Sequence, residues 1–386
     1  MQETKVIASL FDLLAELDEQ KIHGALRYRS VNAYLGRKAH QRDIPLSGTF
    51  ELTPLCNLDC KMCYVHLNAD QIGKDERLLT VDEWQTIISQ AVDAGMIFAD
   101  LTGGECLTYP GFREVYLYLL DRGIAPGVLT NGRLLTEETV NFLAQYPPSV
   151  LQVTLYGSNE DAYERVTGHR AFQQVMDGIQ RAKRRGLNLF LTIMPSRYMQ
   201  EDASALLALA HTMDIPFIVG GVTIPARSET GRDIQDFAVE ADALLRIHQE
   251  ERDRAAASHD LGDVKPLPQY IPPGDSPKRG LPCGGAHSTF HINWKGELSP
   301  CIAFSASVHQ PILTSGFMHA WNTVRDIMSG YQPPEACVSC EFRQDCATCP
   351  GEKSSGALLG PLNTNVCEKV KLYDVDRKIR GDISNP

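Results

Sequence analysis

Three cysteines lie close together in the segment CNLDCKMCY, where Cys56, Cys60 and Cys63 are separated by three and then two residues. A cluster of four irons is held by four thiolates, so three cysteines leave one iron open to bind a substrate or a cofactor. A structural zinc ion usually takes four closed ligands instead. The triad therefore predicts an iron–sulfur cluster with an open iron.

The chain contains eleven cysteines, and most of the others form a second group. Cys106 stands alone, and seven more lie in the C-terminal part of the chain: Cys283, Cys301, Cys337, Cys340, Cys346, Cys349 and Cys367. Disulfides are rare in a reducing compartment, and two CxxC pairs at close spacing indicate a metal site. We therefore expect both groups to bind metal, with a zinc knuckle as the alternative for the second group.

Length and charge limit the class of protein. The 386 residues predict two or three domains, and the formal net charge of -11 disfavours nucleic acid as a partner, because phosphate attracts a basic surface. The N-terminus has no signal-like apolar block, and no stretch approaches the roughly 18 apolar residues that a membrane span needs. The sequence predicts a cytoplasmic protein that binds neither nucleic acid nor membrane.

Apolar runs alternate with amphipathic stretches along the first half of the chain. Strands are predicted at 48–53, 98–102, 125–130, 150–156, 187–194 and 217–223. Helices are predicted at 81–94, 112–122, 137–145, 172–185 and 203–213. This alternation favours an α/β fold with a parallel sheet covered by helices, either barrel-like or open.

Polar and glycine-containing segments follow the predicted strands. The cysteine triad follows the first strand, a Gly-Gly-Glu segment ending at Glu105 the second, a Thr-Asn-Gly segment centred on Asn131 the third, and a Tyr-Gly-Ser segment ending at Ser158 the fourth. In parallel α/β folds the loops at the carboxyl ends of the strands build the active site. We therefore expect these segments to meet around one site.

The triad and the Gly-Gly-Glu segment together resemble the radical S-adenosylmethionine (radical SAM) superfamily, over about 48–223. The resemblance implies a partial (β/α)6 TIM-like barrel with Cys56, Cys60 and Cys63 as the catalytic cluster ligands. It implies that the open iron binds S-adenosylmethionine and that an electron from the cluster cleaves it to a 5′-deoxyadenosyl radical, which abstracts hydrogen from the substrate.

The same resemblance implies a set of residues that contact S-adenosylmethionine. The Gly-Gly-Glu segment would bind the methionyl amino group, since glycine lets the backbone approach a ligand closely. The family often has an aromatic residue where Met62 stands. Arginine suits the carboxylate because its donors pair with both oxygens. The implied contacts are Met62, Tyr64, Gly103, Gly104, Glu105, Asn131, Ser158 and Arg165.

The C-terminal cysteines resemble the SPASM extension of radical SAM enzymes, which holds two auxiliary [4Fe–4S] clusters and would bring the total to three. One cluster would be held by Cys337, Cys340, Cys346 and Cys367, and the other by Cys283, Cys301 and Cys349. Only two residues, Ala347 and Thr348, separate Cys346 from Cys349, whereas the family usually has three at this point. One iron of the cluster with three cysteines therefore lacks a cysteine ligand. His287, His291, water or a substrate thiolate could bind that iron.

These features divide the chain into four parts: an N-terminal helical segment (1–47), a radical SAM barrel (48–230), a helix with a Pro-rich connector (231–282) and a SPASM domain (283–386). Within the connector, a charged helix is expected at about 233–256 and the Pro-rich stretch at 265–282. The last part has few long apolar runs, so we expect metal to stabilise it.

The two resemblances imply an oxidoreductase that modifies a ribosomally made peptide or a protein side chain, giving a thioether or carbon–carbon crosslink. An external electron donor would be a partner. Residues 1–47 are too few for the leader-recognition domain of some relatives, so leader recognition would fall to a separate protein.

Four alternatives remain open at this point. They are a small-molecule radical SAM dehydrogenase, formylglycine formation as in anaerobic sulfatase maturases, a non-catalytic iron–sulfur electron-transfer protein and a zinc scaffold. Sulfatase maturases usually carry aspartate where this chain has Ile302, next to Cys301.

Overall fold

The computed structural model describes residues 24–73, 76–220, 230–231, 237–257, 281, 283–342, 346, 349–354, 362 and 364–380. Several sequence-based expectations lie outside these residues. They are the helix expected before residue 24, the end of the sixth predicted strand at 221–223, nearly all of the Pro-rich stretch at 265–282, and the spacing residues Ala347 and Thr348.

One nine-stranded sheet organises the described residues, in the order β6-β5-β4-β3-β2-β1-β7-β8-β9. Strands β1 to β7 pair in parallel, and β8 and β9 are antiparallel. The strands are β1 Ser47–Glu51, β2 Phe98–Thr102, β3 Gly127–Thr130, β4 Val150–Leu155, β5 Leu189–Ile193, β6 Phe217–Val219, β7 Thr289–Ile292, β8 Glu297–Ser299 and β9 Gln310–Pro311.

Helices connect and cover the strands. They are α1 Gly24–His40, α2 Val81–Asp93, α3 Phe112–Asp121, α4 Glu137–Gln145, α5 Glu160–Thr167, α6 Phe172–Arg184, α7 Ala203–Thr212, α8 Ala241–Ala257, α9 Ile312–Ser315, α10 Phe317–Ser329, α11 Glu335–Val338, α12 Pro350–Lys353 and α13 Thr364–Arg380. Within the described residues no helix is long and apolar enough to cross a membrane.

The predicted strands and helices up to β6 are present, and local sequence explains their limits. Helix α2 begins with a capping box in which Thr80 and Glu83 satisfy each other's backbone N–H groups. Helix α5, by contrast, was not predicted. It is short, begins directly after the Ser158 turn and is capped by the side chain of Asn159.

The strand β7 extends the sheet beyond the six strands that the sequence predicts. It pairs in parallel with β1, with Phe50 opposite Ile292. The C-terminal cysteines therefore belong to a segment that shares a sheet with the barrel. Sequence reasoning missed β7 because its four residues are too few to show a reliable period.

The C-terminal part also contributes to the main apolar core, although its sequence has few long apolar runs. The Phe290 ring lies 6.0 Å from Phe50, 5.1 Å from Phe317 and 6.3 Å from Trp321, and all four rings are buried. Because side chains alternate along a strand, Phe50 and Phe290 face these helices, whereas Glu51 and His291 point to the opposite face.

Candidate active site

The cysteine triad lies in the loop after β1, at the carboxyl end of the strand. The backbone N–H of Asp59 donates to the Thr167 carbonyl oxygen at the end of α5, at 2.9 Å. The N–H of Cys63 donates to the Cys60 carbonyl oxygen at 3.0 Å, which closes a turn. These bonds hold the loop in place through backbone groups, so its shape does not depend on the identity of its exposed side chains.

Donor groups point at the sulfurs of Cys56 and Cys63. The Cys56 Sγ accepts hydrogen bonds from the Leu58 N–H at 3.4 Å and from the Asn131 side-chain amide at 3.5 Å. The Cys63 Sγ accepts one from the His66 N–H at 3.3 Å. Donors to cysteine sulfur stabilise thiolates and help set the reduction potential of a cluster.

The thiols lie in a low-dielectric environment. Burial and then the nearby Glu105 carboxylate raise the pKa of Cys56 to about 12. Burial and then the charges of Cys60, Cys63 and Cys56 raise the pKa of Tyr156 well above its usual range. Tyr156, which sequence analysis gave no role, therefore lies beside all three cysteines, and iron binding to these thiols must release protons.

The two glycines of the Gly-Gly-Glu segment pack directly on the loop that carries the triad. The Gly104 N–H donates to the Thr53 carbonyl oxygen at 2.7 Å, and the Glu105 N–H donates to that of Leu55 at 2.9 Å. Gly103 has a φ of 151°, and a Cβ there would lie 2.5 Å from the Thr53 oxygen. Only glycine allows this approach of the two strand ends.

The side chain of Glu105 points into the protein. It is 1% exposed, and its carboxylate accepts from the Thr130 hydroxyl at 2.8 Å, the Asn131 N–H at 2.7 Å and the Leu107 N–H at 3.2 Å. Burial raises the pKa of Glu105. The carboxylate thus joins the end of β2 to the end of β3, and binding of the methionyl amino group by this segment stays a prediction.

Ser158 follows β4 and is held by a residue that sequence analysis missed. Its hydroxyl and backbone N–H donate to the Asp202 carboxylate at 2.5 and 2.6 Å, and Asp202 is 6% exposed. Asp202 lies far away in the sequence and belongs to no recognisable motif, so only the fold reveals the contact.

The other implied contacts to S-adenosylmethionine lie in different environments. Met62 packs partly buried against the core, and Tyr64 is half-buried on the same loop. Arg165 is exposed on α5 and donates to the Tyr198 carbonyl oxygen at 3.4 Å. Their roles toward S-adenosylmethionine stay predictions.

The structure brings together three of the C-terminal cysteines. Burial, together with the charges of Cys283 and Cys349, raises the pKa of Cys301 to about 12. Burial, with a contribution from Cys349, raises the pKa of Cys283 to about 11. These mutual effects put the three thiols in one neighbourhood, and their role as ligands of a shared cluster stays a prediction.

The remaining four C-terminal cysteines are all half-buried. Cys337 lies in α11 and Cys367 in α13, while Cys340 and Cys346 lie outside the helices. In the part of the chain that the structure describes, no three His, Cys, Asp or Glu side chains are arranged to hold a single metal ion. A second auxiliary cluster at these four residues stays a prediction.

Both histidines considered for the open iron are engaged elsewhere. The His287 Nδ1 lies 2.7 Å from a carboxylate oxygen of Asp43. The His291 Nε2 lies 3.2 Å from the Glu51 carboxylate, and its Nδ1 lies 3.0 Å from the Ser299 hydroxyl. Both ring nitrogens of His291 are therefore engaged. A carboxylate on one ring nitrogen is usual for a metal-binding histidine, so His287 stays a candidate for that position beside water and a substrate thiolate.

The donor set fits an iron–sulfur cluster. Thiolate sulfur is a soft ligand suited to iron–sulfur centres, and three thiols on one loop with N–H groups aimed at their sulfurs match this requirement. The glycines beside the loop let the ends of β1 and β2 pack backbone against backbone. Cys56, Cys60 and Cys63 would hold the cluster.

Residues 50–208 match the radical SAM superfamily. The AdoMet-dependent heme synthase of Methanosarcina barkeri is 30% identical over 78% of this chain and 89% of its own length. The PqqA peptide cyclase of Bradyrhizobium diazoefficiens is 24% identical over 78% and 80% of the two chains. The Bacillus subtilis AlbA protein of subtilosin biosynthesis is 23% identical over 76% of this chain, which spans 63% of the length of AlbA.

Solved structures confirm the expected fold. The structure of Streptococcus suis SuiB bound to its precursor peptide SuiA superposes with a TM-score of 0.65, at 17% identity, over 88% of this chain and 81% of SuiB. The prediction of an α/β partial barrel with a cysteine-rich C-terminal part is therefore confirmed. The chain belongs to the radical SAM superfamily, and its cofactors include S-adenosylmethionine and a [4Fe–4S] cluster.

Proposed function

We propose that this chain is a radical SAM maturase that modifies a ribosomally made peptide or a protein side chain, forming a thioether or carbon–carbon crosslink. When bound to Cys56, Cys60 and Cys63, the cluster and S-adenosylmethionine supply a carbon-centred radical that takes hydrogen from the substrate. The observation that carries the proposal is the neighbourhood formed by Cys283, Cys301 and Cys349, of which the first two flank the hairpin that β7 joins to β1.

A crosslink removes two hydrogens from the substrate, and only one of them leaves as a hydrogen atom on 5′-deoxyadenosine. The other leaves as a proton and an electron, so an electron acceptor is required. The C-terminal cysteines would hold that acceptor in two auxiliary clusters, for a total of three. The cluster at Cys283, Cys301 and Cys349 lacks a fourth cysteine, and a substrate thiolate would suit the open iron because soft sulfur favours iron.

The residues around the triad would position and protect the reaction. The loop is fixed by backbone bonds to α5, and the backbone of Gly103 and Gly104 packs directly on it. The sheet and its helices shield the radical from water. The partners would be the peptide, an external electron donor and a separate leader-recognition protein.

The names of two relatives support a peptide substrate: one is a PqqA peptide cyclase and another serves subtilosin biosynthesis. A second candidate rests on the 30% identical relative, which is a heme synthase. For this second candidate the substrate would be a small molecule, a metalloporphyrin, bound at the same site. The two candidates differ in substrate and share the cysteine triad.

The two candidates can be separated with deuterium. The full chain is reconstituted anaerobically with iron, sulfide, S-adenosylmethionine and dithionite, and is offered a cysteine-containing peptide library deuterated at Cα, or a metalloporphyrin. A peptide maturase that abstracts at Cα transfers deuterium to 5′-deoxyadenosine, and the peptide loses one deuterium and one hydrogen. The Cys301→Ala variant should lose the mass change, and Cys106→Ala should keep it, because Cys106 is a buried cysteine outside both groups.

The contradicting results are equally specific. Conversion of the metalloporphyrin with no deuterium transfer from any peptide would favour the second candidate. Absence of 5′-deoxyadenosine with every substrate would contradict both.

A further inference from the structure

The side chain of Asn131, at the end of β3, reaches across to the cysteine loop after β1. Its amide nitrogen lies 2.8 Å from the Asn57 side-chain oxygen and 3.5 Å from the Cys56 sulfur. Asn131 is 6% exposed, so water does not compete for this amide. Of the N–H groups that the structure describes at these sulfurs, those of Leu58 and His66 belong to the backbone, and the one from Asn131 belongs to a side chain.

The hydrogen-bond network fixes which end of the amide faces the sulfur. The Asn131 side-chain oxygen accepts from the Arg133 N–H at 2.9 Å, so the nitrogen must point the other way. The backbone N–H of Asn131 donates to the Glu105 carboxylate at 2.7 Å, and that carboxylate is buried. Arg133 in turn donates through its guanidinium to the Asn57 carbonyl oxygen. Turning the Asn131 side chain away would break its bonds to Cys56, to Asn57 and to the Arg133 N–H.

We propose that Asn131 is a positioning residue that donates to the Cys56 thiolate and thereby raises the reduction potential of the cluster held by the triad. The proposal rests on the proposed function in that Cys56 must ligate the cluster. Reduction adds negative charge to the cluster and its sulfurs. A buried donor aimed at one sulfur stabilises this more negative form, and hydrogen bonds to charged acceptors are stronger than neutral ones.

This role differs from the sequence-based expectation that Asn131 contacts the ribose or the carboxylate of S-adenosylmethionine. The side-chain amide already donates to Cys56 and Asn57, and its oxygen already accepts from Arg133. The geometry therefore assigns the side chain to the cluster loop.

The test is a potentiometric titration of the anaerobic holoenzyme followed by electron paramagnetic resonance. The cluster at the triad is recognised by the change in its spectrum when S-adenosylmethionine is added, which separates it from any other cluster. The variants are Asn131→Leu, which removes the donor without charge, and Asn131→Asp, which keeps the shape and the acceptor for Arg133. We expect both variants to shift the midpoint downwards, with the larger shift for aspartate because it adds a carboxylate beside the sulfur.

A matched control comes from Asn188, a half-buried asparagine at the start of β5 whose side-chain amide donates to the Ser149 carbonyl oxygen. It lies at the opposite strand ends from the triad, so Asn188→Leu should leave the midpoint unchanged. An unchanged midpoint in Asn131→Leu, with wild-type iron content and an intact response to S-adenosylmethionine, would overturn the proposal. So would a shift seen only in Asn131→Asp, since that would be a charge effect.

Failure of the proposed function looks different. A wild-type protein whose spectrum does not respond to S-adenosylmethionine would overturn the ligand assignment of the triad, and with it the role of Asn131. A responsive wild type with unshifted variants overturns only the role of Asn131.

Discussion

The two cysteine groups are positioned by different means. The loop with Cys56, Cys60 and Cys63 is fixed by strand ends, backbone hydrogen bonds and N–H groups that point at sulfur. In the second group, Cys283 and Cys301 flank β7 and β8, whereas Cys337 lies in a one-turn helix beside Val338, a valine that is 53% exposed.

The difference indicates how each site becomes ready for metal. The first site has its shape before metal arrives, because the sheet provides it. The second site is anchored at one end by the hairpin of β7 and β8, and we expect its other end to be ordered by the cluster it binds. Metal binding to such a site contributes directly to folding.

A change in the buried network between β1 and β7 should have the largest effect on the free energy of unfolding. Glu51 and His291 are 0% and 1% exposed, and their side chains lie 3.2 Å apart. Replacing His291 by alanine leaves the Glu51 carboxylate buried without this partner, so we expect a loss of about 3–5 kcal/mol in the free energy of unfolding.

Urea denaturation measures this effect. Arg246→Ala serves as a control, since it removes an exposed ion pair with Asp242 and should change the free energy of unfolding by less than about 0.5 kcal/mol. A His291→Ala effect as small as that of the control would mean that β7 is only loosely attached to the barrel.

Much of this organisation could be predicted from the sequence, for physical reasons. The triad, the Gly-Gly-Glu segment and the turns at Asn131 and Ser158 follow strong apolar periods, so their place at strand ends was evident. The partners Asp202 and Asn57 could not be predicted, because the contacts join distant segments with no local pattern. The strand β7 was not predicted because it is short and lies in a cysteine-rich segment.

The stability of the iron-free chain should depend on pH through buried thiols of both cysteine groups. Burial raises the pKa of Cys56 and of Cys301 from 9.0 to about 12. A group with a raised pKa in the folded state favours folding below its unfolded pKa, and this contribution is lost as the pH rises toward the folded pKa. Stability should therefore fall above pH 9, by about 1 kcal/mol per thiol and pH unit.

Urea titrations at several pH values measure this slope, with the iron-loaded protein as reference. Iron binding removes the thiol protons, so the loaded protein should show a flatter profile. Equal slopes for both forms would contradict the burial of the two thiols.

Removing iron should affect the two regions unequally. With a chelator under anaerobic conditions, we expect proteolysis within 331–342 to accelerate by about tenfold, which corresponds to ~1.4 kcal/mol of local stability. The loop of the triad should stay resistant, because backbone bonds to α5 hold it. Mass spectrometry of the fragments locates the cuts, and equal acceleration in both regions would remove the distinction between them.

Formation of 5′-deoxyadenosine by the reconstituted full chain tests most directly whether the two cysteine groups have different roles. The wild type, Cys56→Ala, Cys301→Ala and the control Cys106→Ala are compared with S-adenosylmethionine, dithionite and the peptide library. We predict that Cys56→Ala forms no 5′-deoxyadenosine, whereas Cys301→Ala still forms it but yields no crosslinked peptide. Wild-type 5′-deoxyadenosine formation by Cys56→Ala, or crosslinked peptide from Cys301→Ala, would contradict the account.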